Sequence, residues 1–360
     1  MLLTRLQIRQ LRCLVDVELD LAPGLNLIVG PNGAGKSSVI EAVHLLGYGR
    51  SFRGRVSDGL IRTGAAHLEV YAEWLDRDQQ PHRAGLRHAG SSWEARLDGS
   101  SAPSLTELCA QIAVVTFEPG SHDLIAGGAE HRRRFLDWGL FHVEPDFLPQ
   151  WRRYARALKQ RNSLLKNGPT ASMLEPWDRE LAEAGEVLTR MRQGYLERLE
   201  PFVSDQAQAF LVELAPASME FRPGWKRADL SLADALLLNR ERDIAQGHTS
   251  LGPHRADWRV GFAGLPGREA LSRGQEKLTA LACVLGQARD FAARRGDWPI
   301  VCLDDLASEL DLAHQAQVLA AALSAGAQVL LSGTQVPDAL RGMAPAYRSF
   351  HVEHGLITSD

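Results

Sequence analysis

The sequence predicts an α/β protein in which a head with a β-meander is interrupted by an inserted, antiparallel helical arm. Apolar residues alternate at a period of two over residues 2–30 and 66–98, which is typical of short strands. Between residues 146 and 214 they recur at three- and four-residue spacing among many charges, which predicts helices. Strand and helix patterns alternate again after residue 249. The predicted boundaries are a bipartite head over 1–140 and 245–360 and an arm over 141–244.

The individual elements follow from these patterns in chain order. Leu25–Val29 is expected to be the last strand before a helix that runs from Lys36 to about Leu46. A further strand is expected at 112–117, after the meander. The arm is expected to be two long antiparallel helices, because Asn167-Gly168-Pro169 breaks the helical pattern between them. The arm helices are predicted at roughly 146–166 and 173–214, and buried strands at 300–303 and 329–331.

Composition excludes several classes of protein. The 360 residues are 45% hydrophobic and 23% charged, as in a folded protein, so intrinsic disorder is not expected. No apolar stretch approaches the ~20 residues that cross a bilayer, and the amino terminus lacks the pattern of a signal peptide. The four cysteines (13, 109, 283 and 302) form no CxxC pair. This favours buried, reduced thiols over disulfides or zinc, and hence a cytoplasmic protein.

Residues 30–37 read Gly-Pro-Asn-Gly-Ala-Gly-Lys-Ser, which matches the phosphate-binding loop G-x-x-x-x-G-K-[ST] at every required position. The motif follows an apolar strand and opens a helix, so a chance glycine-rich turn is disfavoured. The glycines let backbone N–H groups turn towards the phosphates of a nucleotide. Lys36 would reach the β- and γ-phosphates, and the Ser37 hydroxyl would hold Mg²⁺. The predicted ATP-binding residues are Gly30, Pro31, Asn32, Gly33, Ala34, Gly35, Lys36, Ser37 and Ser38.

A pair of carboxylates, Asp304 and Asp305, ends the apolar strand Ile300–Leu303. A carboxylate at the carboxyl end of a parallel strand projects into the crevice where ligands bind. Asp304 would bind Mg²⁺ through water, and Asp305 would orient or deprotonate the attacking water. The alternative is an acidic loop after a core strand. We therefore predict Lys36, Asp304 and Asp305 as catalytic residues and Ser37 and Asp304 as the Mg²⁺ site.

The order of the remaining motifs identifies a family. Leu271-Ser272-Arg273-Gly274-Gln275 precedes a helix, and Ser308-Glu309-Leu310-Asp311 follows the carboxylate pair. Together with the phosphate-binding loop, this order resembles that of the ATP-binding-cassette ATPases. The resemblance implies a nucleotide-driven dimer, in which Ser272, Gly274 and Gln275 serve ATP bound to the partner subunit and Asp311 contributes to the site. Ser272 could also be a plain helix N-cap.

A closer resemblance is to the bacterial recombination-mediator ATPases, which belong to the structural-maintenance-of-chromosomes-like branch of that family. It rests on an insertion of similar length and on matching segments along nearly the whole chain. The segments are 35–37, 41–42, 49–53, 132–137, 252–255, 271–275, 304–305 and 308–311. The resemblance implies an ATP-dependent DNA-binding protein of DNA repair, replication, recombination and the SOS response. Such a protein would dimerise with ATP at junctions of single- and double-stranded DNA and promote recombinase loading at gaps.

The same resemblance implies two partner proteins, RecR and RecO, and a weak, DNA-stimulated ATPase that acts mainly as a switch. Asp305 stands where many cassette ATPases have glutamate. Because aspartate is one methylene shorter, it would hold the attacking water less well. We therefore expect slow hydrolysis, which would release the dimer.

Local charge indicates nucleic-acid binding although the net charge is −4. Residues 131–168 hold nine basic and three acidic side chains, and residues 50–62 hold four basic and one acidic. Such faces would contact the DNA backbone without reading its sequence, since no base-reading module is evident. The alternative is that the arginines of the arm pair with its acidic second helix. The predicted DNA-binding residues are Arg50, Arg53, Arg132, Arg133, Arg134 and Arg152.

Several roles stay open in the sequence. Thr334, after the strand at 329–331, is one candidate for the residue that senses the γ-phosphate. His254 and Arg255 are either neighbours of the catalytic site or a rigid lead-in to a strand. The ATPase subunit of a membrane transporter would share the nucleotide motifs, but it predicts glutamate at position 305 and a histidine after the strand at 329–331. A nucleotide-gated clamp that does not hydrolyse ATP is a third alternative.

Overall fold

The computed structural model describes residues 1–90, 92–263, 265, 271–340 and 346–359, which form two compact units. The first unit comprises Met1–Ser121 and Leu281–Asp360, and the second comprises His122–Ala280. The chain therefore leaves the first unit and later returns to it, in agreement with an insertion. The domain boundaries predicted at 140 and 245 both lie inside the second unit and stay a prediction.

The predicted α/β class is confirmed, and the elements are numbered here in chain order. The strands are β1 (Leu2–Leu11), β2 (Leu14–Asp20), β3 (Leu25–Val29), β4 (Leu68–Leu75), β5 (Pro81–His88), β6 (Trp93–Leu97), β7 (Ser100–Ser101), β8 (Val114–Phe117), β9 (Ala217–Arg222), β10 (Asp257–Phe262), β11 (Ile300–Leu303), β12 (Val329–Gly333), β13 (Tyr347–Glu353) and β14 (Leu356–Ser359). The helices are α1 (Lys36–Tyr48), α2 (Leu105–Gln111), α3 (Asp123–Ala126), α4 (Ala129–Val143), α5 (Phe147–Leu165), α6 (Ala171–Phe210), α7 (Leu232–Leu238), α8 (Arg240–Gln246), α9 (Arg273–Arg295), α10 (Leu306–Glu309) and α11 (Leu312–Ser324).

An antiparallel sheet in the first unit has the strand order β2-β1-β4-β5-β6-β7. Burial alternates strictly along β4, whose Leu68, Val70, Ala72 and Trp74 face the core. This alternation is the period of two that predicted the strand. The predicted β-meander is thus confirmed as β4–β6, and the two amino-terminal strands extend the same sheet.

The second sheet of the first unit has the order β14-β13-β3-β12-β11-β8 and is parallel except for its edge strand β14. Every residue of β11 and β12 is buried, as is typical of the central strands of a parallel sheet. β12 lies between β3 and β11, with Leu303 opposite Leu331 and Val29 opposite Gly333. The carboxyl ends of these three strands therefore meet at one edge, where ligands bind in such sheets.

The second unit contains the predicted antiparallel helix pair as α5 and α6. α6 spans 40 residues with Pro176 and Pro201 inside it, and it ends at Phe210, slightly before the predicted 214. β9 and β10 form a two-stranded antiparallel ribbon in which Phe221 lies opposite Trp258. This ribbon was not predicted from the sequence, because β9 is short and lies next to the arm.

Three of the four cysteines are buried free thiols, as predicted: Cys109, Cys283 and Cys302. Burial raises the pKa of Cys109 to about 12, so this thiol keeps its proton at neutral pH. Cys13 is exposed, contrary to the expectation of buried thiols. Within the described ranges, no helix combines the length and the apolar character needed to span a membrane.

Candidate nucleotide site and charged surfaces

The phosphate-binding loop joins β3 to α1, in the strand–loop–helix arrangement that the sequence predicts. Gly33 has a φ of +79°, a left-handed conformation that glycine adopts without strain. Gly30 lies so close to Val352 that a Cβ atom would be 2.1 Å from the Val352 carbonyl oxygen. Lys36 is 7% exposed, and its Nζ donates to the Pro31 carbonyl at 2.9 Å. The loop is therefore tightly built, with its lysine bonded to its own backbone.

Asp304 follows β11 and is only 3% exposed. Its carboxylate accepts a hydrogen bond from Ser332 Oγ of β12. Burial raises the pKa of Asp304, while the Ser332 hydroxyl, the nearby Ser37 hydroxyl of α1 and the Arg53 charge oppose the rise. The two predicted Mg²⁺ ligands, Ser37 and Asp304, thus lie near each other. A hydroxyl beside a carboxylate is a donor set that fits this ion.

Asp305 has a left-handed backbone conformation, with φ of +53°, which is uncommon for a residue other than glycine. Its N–H donates to Ser332 Oγ at 3.0 Å, and its Oδ2 accepts from Ser308 Oγ at 2.7 Å. These bonds hold the residue at the start of α10 in one orientation. Backbone conformations of this kind concentrate at functional sites, where the surrounding structure maintains them.

Ser332 is the residue at this edge that the sequence analysis missed. It lies in β12, is 1% exposed, and bonds both residues of the carboxylate pair. The order β3-β12-β11 would have indicated it, because a residue that follows Leu331 comes to lie beside the end of β11. Thr334 is exposed, and its role as γ-phosphate sensor stays a prediction.

A second buried carboxylate lies within α1. Glu41 is fully buried, and Arg12 donates to its two oxygens at 2.8 and 3.0 Å. Ser51 also donates to this carboxylate, and Arg53 lies 3.9 Å from it. The segment that follows α1, with Arg50 exposed and Arg53 45% exposed, is thereby tied to the helix of the phosphate-binding loop. The Arg53 charge also opposes the burial-driven rise in the pKa of Asp304, so this segment influences the predicted nucleotide site, whereas its role in DNA binding stays a prediction.

The predicted signature segment begins α9 and has the geometry of a capping box. The Ser272 N–H donates to Gln275 Oε1 at 2.8 Å, and the Gln275 N–H donates to Ser272 Oγ at 3.3 Å. The N-cap alternative for Ser272 is therefore confirmed. Ser272, Arg273 and Gly274 are exposed, so this helix terminus can still meet an anionic ligand. The capping and ligand-binding roles do not exclude one another.

Asp311 is likewise a helix cap. Its Oδ1 accepts from the His314 N–H at 2.9 Å, and its Oδ2 lies 2.7 Å from His314 Nδ1. These hydrogen bonds hold the pKa of Asp311 below its usual range. The side chain is 64% exposed, and its predicted contribution to the ATP site stays a prediction.

Arg132 departs from the predicted DNA surface. It is 3% exposed, and its guanidinium donates to both oxygens of Asp257, at 2.6 and 3.2 Å, and to the Gly127 carbonyl at 2.8 Å. The Arg132 carbonyl also accepts from Trp258 Nε1 at 2.7 Å. A guanidinium used in this way cannot reach a DNA phosphate, so the expectation for Arg132 is corrected to a structural role. The sequence carried no sign of this, because Asp257 lies 125 residues away.

The remaining predicted DNA contacts of the second unit reach solvent. Arg134 and Arg152 are exposed and Arg133 is half-buried. Arg134 pairs with Glu130 one turn earlier in α4, whereas Arg133 donates to the Ala256 carbonyl at 2.8 Å.

On the arm, the two alternatives that the sequence left open apply to different residues. Arg153 pairs with Glu180 and Glu183 of α6 at 2.7 Å each, as the ion-pair alternative predicts. Other basic side chains of α5 are exposed and, among the described residues, have no carboxylate within 4 Å. They are Arg152, Arg156 and Lys159.

Comparisons with known proteins agree with this geometry. The family described as "RecF/RecN/SMC N terminal domain" matches residues 2–358. The DNA replication and repair protein RecF of Stenotrophomonas maltophilia (strain R551-3) is 59% identical over 100% of both chains. That of Xanthomonas euvesicatoria pv. vesicatoria (strain 85-10) is 60% identical over 98% of this chain and 97% of the relative.

Solved structures show the same family resemblance. The recombination mediator protein RecF with ATP, in the RecFOR pathway, is similar with a TM-score of 0.88 and 26% identity. The match covers 100% of this chain and 97% of that one. An Smc head bound to the C-winged helix domain of ScpA has a TM-score of 0.60 at 16% identity, covering 100% of this chain and 97% of that one, and shows a shared fold alone.

Proposed function

The chain belongs to the RecF family of DNA replication and repair proteins, and from this premise we propose that it is an ATP-driven switch that closes as a dimer on DNA. One observation carries the proposal: β12 lies between β3, which leads into the phosphate-binding loop, and β11, which ends just before Asp304, so the loop and this carboxylate meet at one edge of the sheet. They would form the two halves of a nucleoside-triphosphate site. The structural relative with ATP supports ATP as the nucleotide.

ATP would lie with its phosphates against the loop of residues 30–37 and the first turn of α1. Backbone N–H groups there carry the positive end of the helix dipole. Lys36 Nζ is bonded to the Pro31 carbonyl, and we expect phosphate oxygens to replace that carbonyl as its acceptor. Lys36 would then neutralise charge on the β- and γ-phosphates.

Bound Mg²⁺ would supply electrostatic stabilisation of the phosphates. Ser37 and Asp304 would hold it, Asp304 through water, since both present oxygen ligands at the same edge of the sheet. Asp305 would orient the attacking water. Its carboxylate accepts a hydrogen bond from the Ser308 hydroxyl at 2.7 Å and its side chain is short, which supports slow hydrolysis. We expect DNA to stimulate this hydrolysis, which would act as a switch.

Dimerisation would use the exposed start of α9. Ser272 and Gly274 are open to solvent at a helix amino terminus, where hydroxyl and N–H groups suit a γ-phosphate. Gln275 and Asp311 would assist from their capping positions. In this proposal the phosphate belongs to ATP on the partner subunit, so nucleotide joins two copies and hydrolysis separates them.

DNA would be bound through its backbone, without sequence preference, at junctions of single and double strands. The proposed contacts, with Arg132 now left out, are Arg50, Arg53, Arg133, Arg134 and Arg152. RecR and RecO are the proposed partners, in line with the RecFOR pathway to which the structural relative belongs. Recombinase loading at gaps, in the cytoplasm, is the proposed setting.

The transporter alternative gains no support. The matching family is that of RecF, RecN and SMC proteins, and it covers residues 2–358. Position 305 is aspartate, and Ser332-Gly333-Thr334 takes the place of the histidine that the transporter alternative predicts.

The test measures sedimentation and DNA binding together, with and without ATP and Mg²⁺. We expect the wild-type chain to dimerise with ATP and to bind DNA more tightly as it does so. Lys36→Ala should abolish both ATP-driven dimerisation and the ATP-dependent gain in DNA affinity. Asp305→Asn should still dimerise with ATP but hydrolyse it more slowly than the wild-type chain. ATP-driven dimerisation that survives in Lys36→Ala would contradict the proposal. No hydrolysis by the wild-type chain, with or without DNA, would favour the non-hydrolysing clamp.

A further inference from the structure

The turn Pro253–Arg255, ahead of β10, is held by arginines of α4 and α6. Arg192 Nη1 donates to the first carbonyl of the turn at 2.7 Å, and Arg133 Nη1 donates to the carbonyl just after it at 2.8 Å. Arg192 is 3% exposed and is itself held by both oxygens of Asp137, at 2.8 Å each. The backbone of the turn therefore has little freedom to move.

His254 fixes the turn from its side chain. Its Nε2 lies 3.0 Å from the Thr249 carbonyl, which can only accept, so Nε2 carries the proton. Its Nδ1 lies 2.7 Å from the hydroxyl of the buried Tyr154, which then donates. Burial lowers the pKa of His254 to about 4, so the ring is neutral at physiological pH. Both ring nitrogens form hydrogen bonds within the protein, which leaves His254 no free group for catalysis.

Arg255 is the part of this turn that faces solvent. Among the described residues, it has no carboxylate within 4 Å. Two carboxylates near the turn are already paired, Asp137 with Arg192 and Asp257 with Arg132. In the described part of the structure, neither Arg133 nor Arg255 has a carboxylate of its own within 4 Å, although Asp257, Glu130 and Asp137 act on the Arg133 charge from farther away.

We propose that Arg255, together with Arg133, forms a preorganised phosphate-binding site that contacts the DNA backbone. The inference rests on the proposed function as a DNA-binding protein and adds a specific contact to it. A rigid turn lowers the entropy that is lost when a side chain binds, so an arginine presented in this way gains affinity without new contacts. The planar guanidinium also matches the geometry of a phosphate.

A DNA phosphate is favoured over an acidic protein segment for two reasons. Arg255 is exposed and Arg133 is half-buried beside the same turn, and neither forms an ion pair within 4 Å among the described residues, so the repeated phosphates of DNA can meet both of them. The family acts in DNA replication and repair, which provides this ligand directly. A protein partner that needs Arg255 is the other outcome of the test below.

The experiment measures the affinity of the full-length chain, with ATP and Mg²⁺, for duplex DNA with a single-stranded end over a series of salt concentrations. We expect Arg255→Gln to weaken binding roughly tenfold and to reduce the salt slope by about one. The matched control is Arg222→Gln, because Arg222 is an exposed arginine of the same unit that pairs with Glu220. This control should bind like the wild-type chain.

Wild-type affinity and slope in Arg255→Gln would overturn the inference, and a protein partner would then be the explanation for the exposed arginine. An equal loss in Arg222→Gln would also overturn it, since the effect would then be one of total charge. The failure of the proposed function looks different: in that case the wild-type chain itself does not bind DNA, and both proposals fall together.

Discussion

Ser332, on β12, and Asp304, directly after the adjacent parallel strand β11, are joined by a hydrogen bond in which Ser332 Oγ donates to the buried carboxylate. The same hydroxyl accepts from the N–H of Asp305 at 3.0 Å. One serine therefore orients both residues of the carboxylate pair. Its position on β12, between the strands that carry the loop and the pair, makes it a positioning residue for the nucleotide site.

Ser332→Ala removes one bond from the Asp304 carboxylate and leaves the Asp305 N–H without this acceptor. We expect weaker binding of MgATP, hydrolysis slower by about tenfold, and a loss of about 1–3 kcal/mol in the free energy of unfolding. Nucleotide titration, turnover and thermal unfolding measure the three effects. Thr334→Ala, two residues away and exposed, is the comparison, because Thr334 is the predicted γ-phosphate sensor. If hydrolysis is lost in Thr334→Ala and kept in Ser332→Ala, the role in positioning the nucleotide site belongs to Thr334 and not to Ser332.

Asp304 makes the nucleotide-free chain less stable as pH rises. Burial raises the pKa of Asp304 above its unfolded value of 3.8, so the folded chain binds this proton more tightly. Between 3.8 and the raised pKa, stability falls as the pH increases, because the unfolded chain then carries fewer protons at this site. Above that pH window, the buried charge of Asp304 continues to lower the free energy of unfolding by a constant amount.

Asp304→Asn should therefore raise the melting temperature of the nucleotide-free chain at pH 7, and the gain should shrink as the pH falls towards 3.8. The same variant should lose Mg²⁺-dependent ATP binding. Asp311→Asn is the control of opposite sign, since hydrogen bonds hold the pKa of Asp311 low and its stabilising effect is present at neutral pH. A melting temperature that falls at pH 7 in Asp304→Asn would refute this account.

Arg161 is the buried centre of the second unit. It is 0% exposed and pairs with Asp178 at 2.6 Å and with the fully buried Asp243 at 2.7 Å. Arg161→Leu would leave Asp243 without its guanidinium and Asp178 with Arg240 alone, and we expect a loss of about 3–5 kcal/mol in the free energy of unfolding. Arg153→Leu, in the half-exposed pair with Glu180, should lose only about 1 kcal/mol. Hydrogen exchange of α5 amides measures both, and equal losses would contradict this view of Arg161.

Features that depend on neighbouring residues in the chain were predictable. The phosphate-binding loop, the carboxylates after β11 and the α5–α6 pair follow from local motifs and periodicity. Even the burial of Arg161 had a signal, because it lies seven residues after Tyr154 and four before Leu165, on the buried stripe of α5.

Features that depend on distant partners were not predictable. Arg132, Arg133 and Arg134 look alike in the sequence, yet only Arg132 meets Asp257, because the fold brings α4 against β10. Ser332 meets Asp304 through strand pairing, across 28 residues. In both cases the partner is chosen by the order of packed elements, which single-sequence periodicity does not specify.

Arg152 and Arg153 are neighbours on α5 that should behave differently towards DNA. Arg153 is held by Glu180 and Glu183, each at 2.7 Å, so its charge is already compensated. Arg152 is exposed and, in the described part of the chain, has no carboxylate within 4 Å. A DNA phosphate binds most favourably to a cation that does not first have to break an ion pair with a carboxylate.

We therefore expect Arg152→Gln to weaken DNA binding and to reduce the salt slope by about one, whereas Arg153→Gln should leave the slope unchanged. The two variants remove the same charge from adjacent positions, so a difference between them cannot come from net charge. Filter binding or anisotropy over a salt series measures both slopes. If the slopes fall equally, the arm attracts DNA through its total charge, and the proposed contact at Arg152 is wrong.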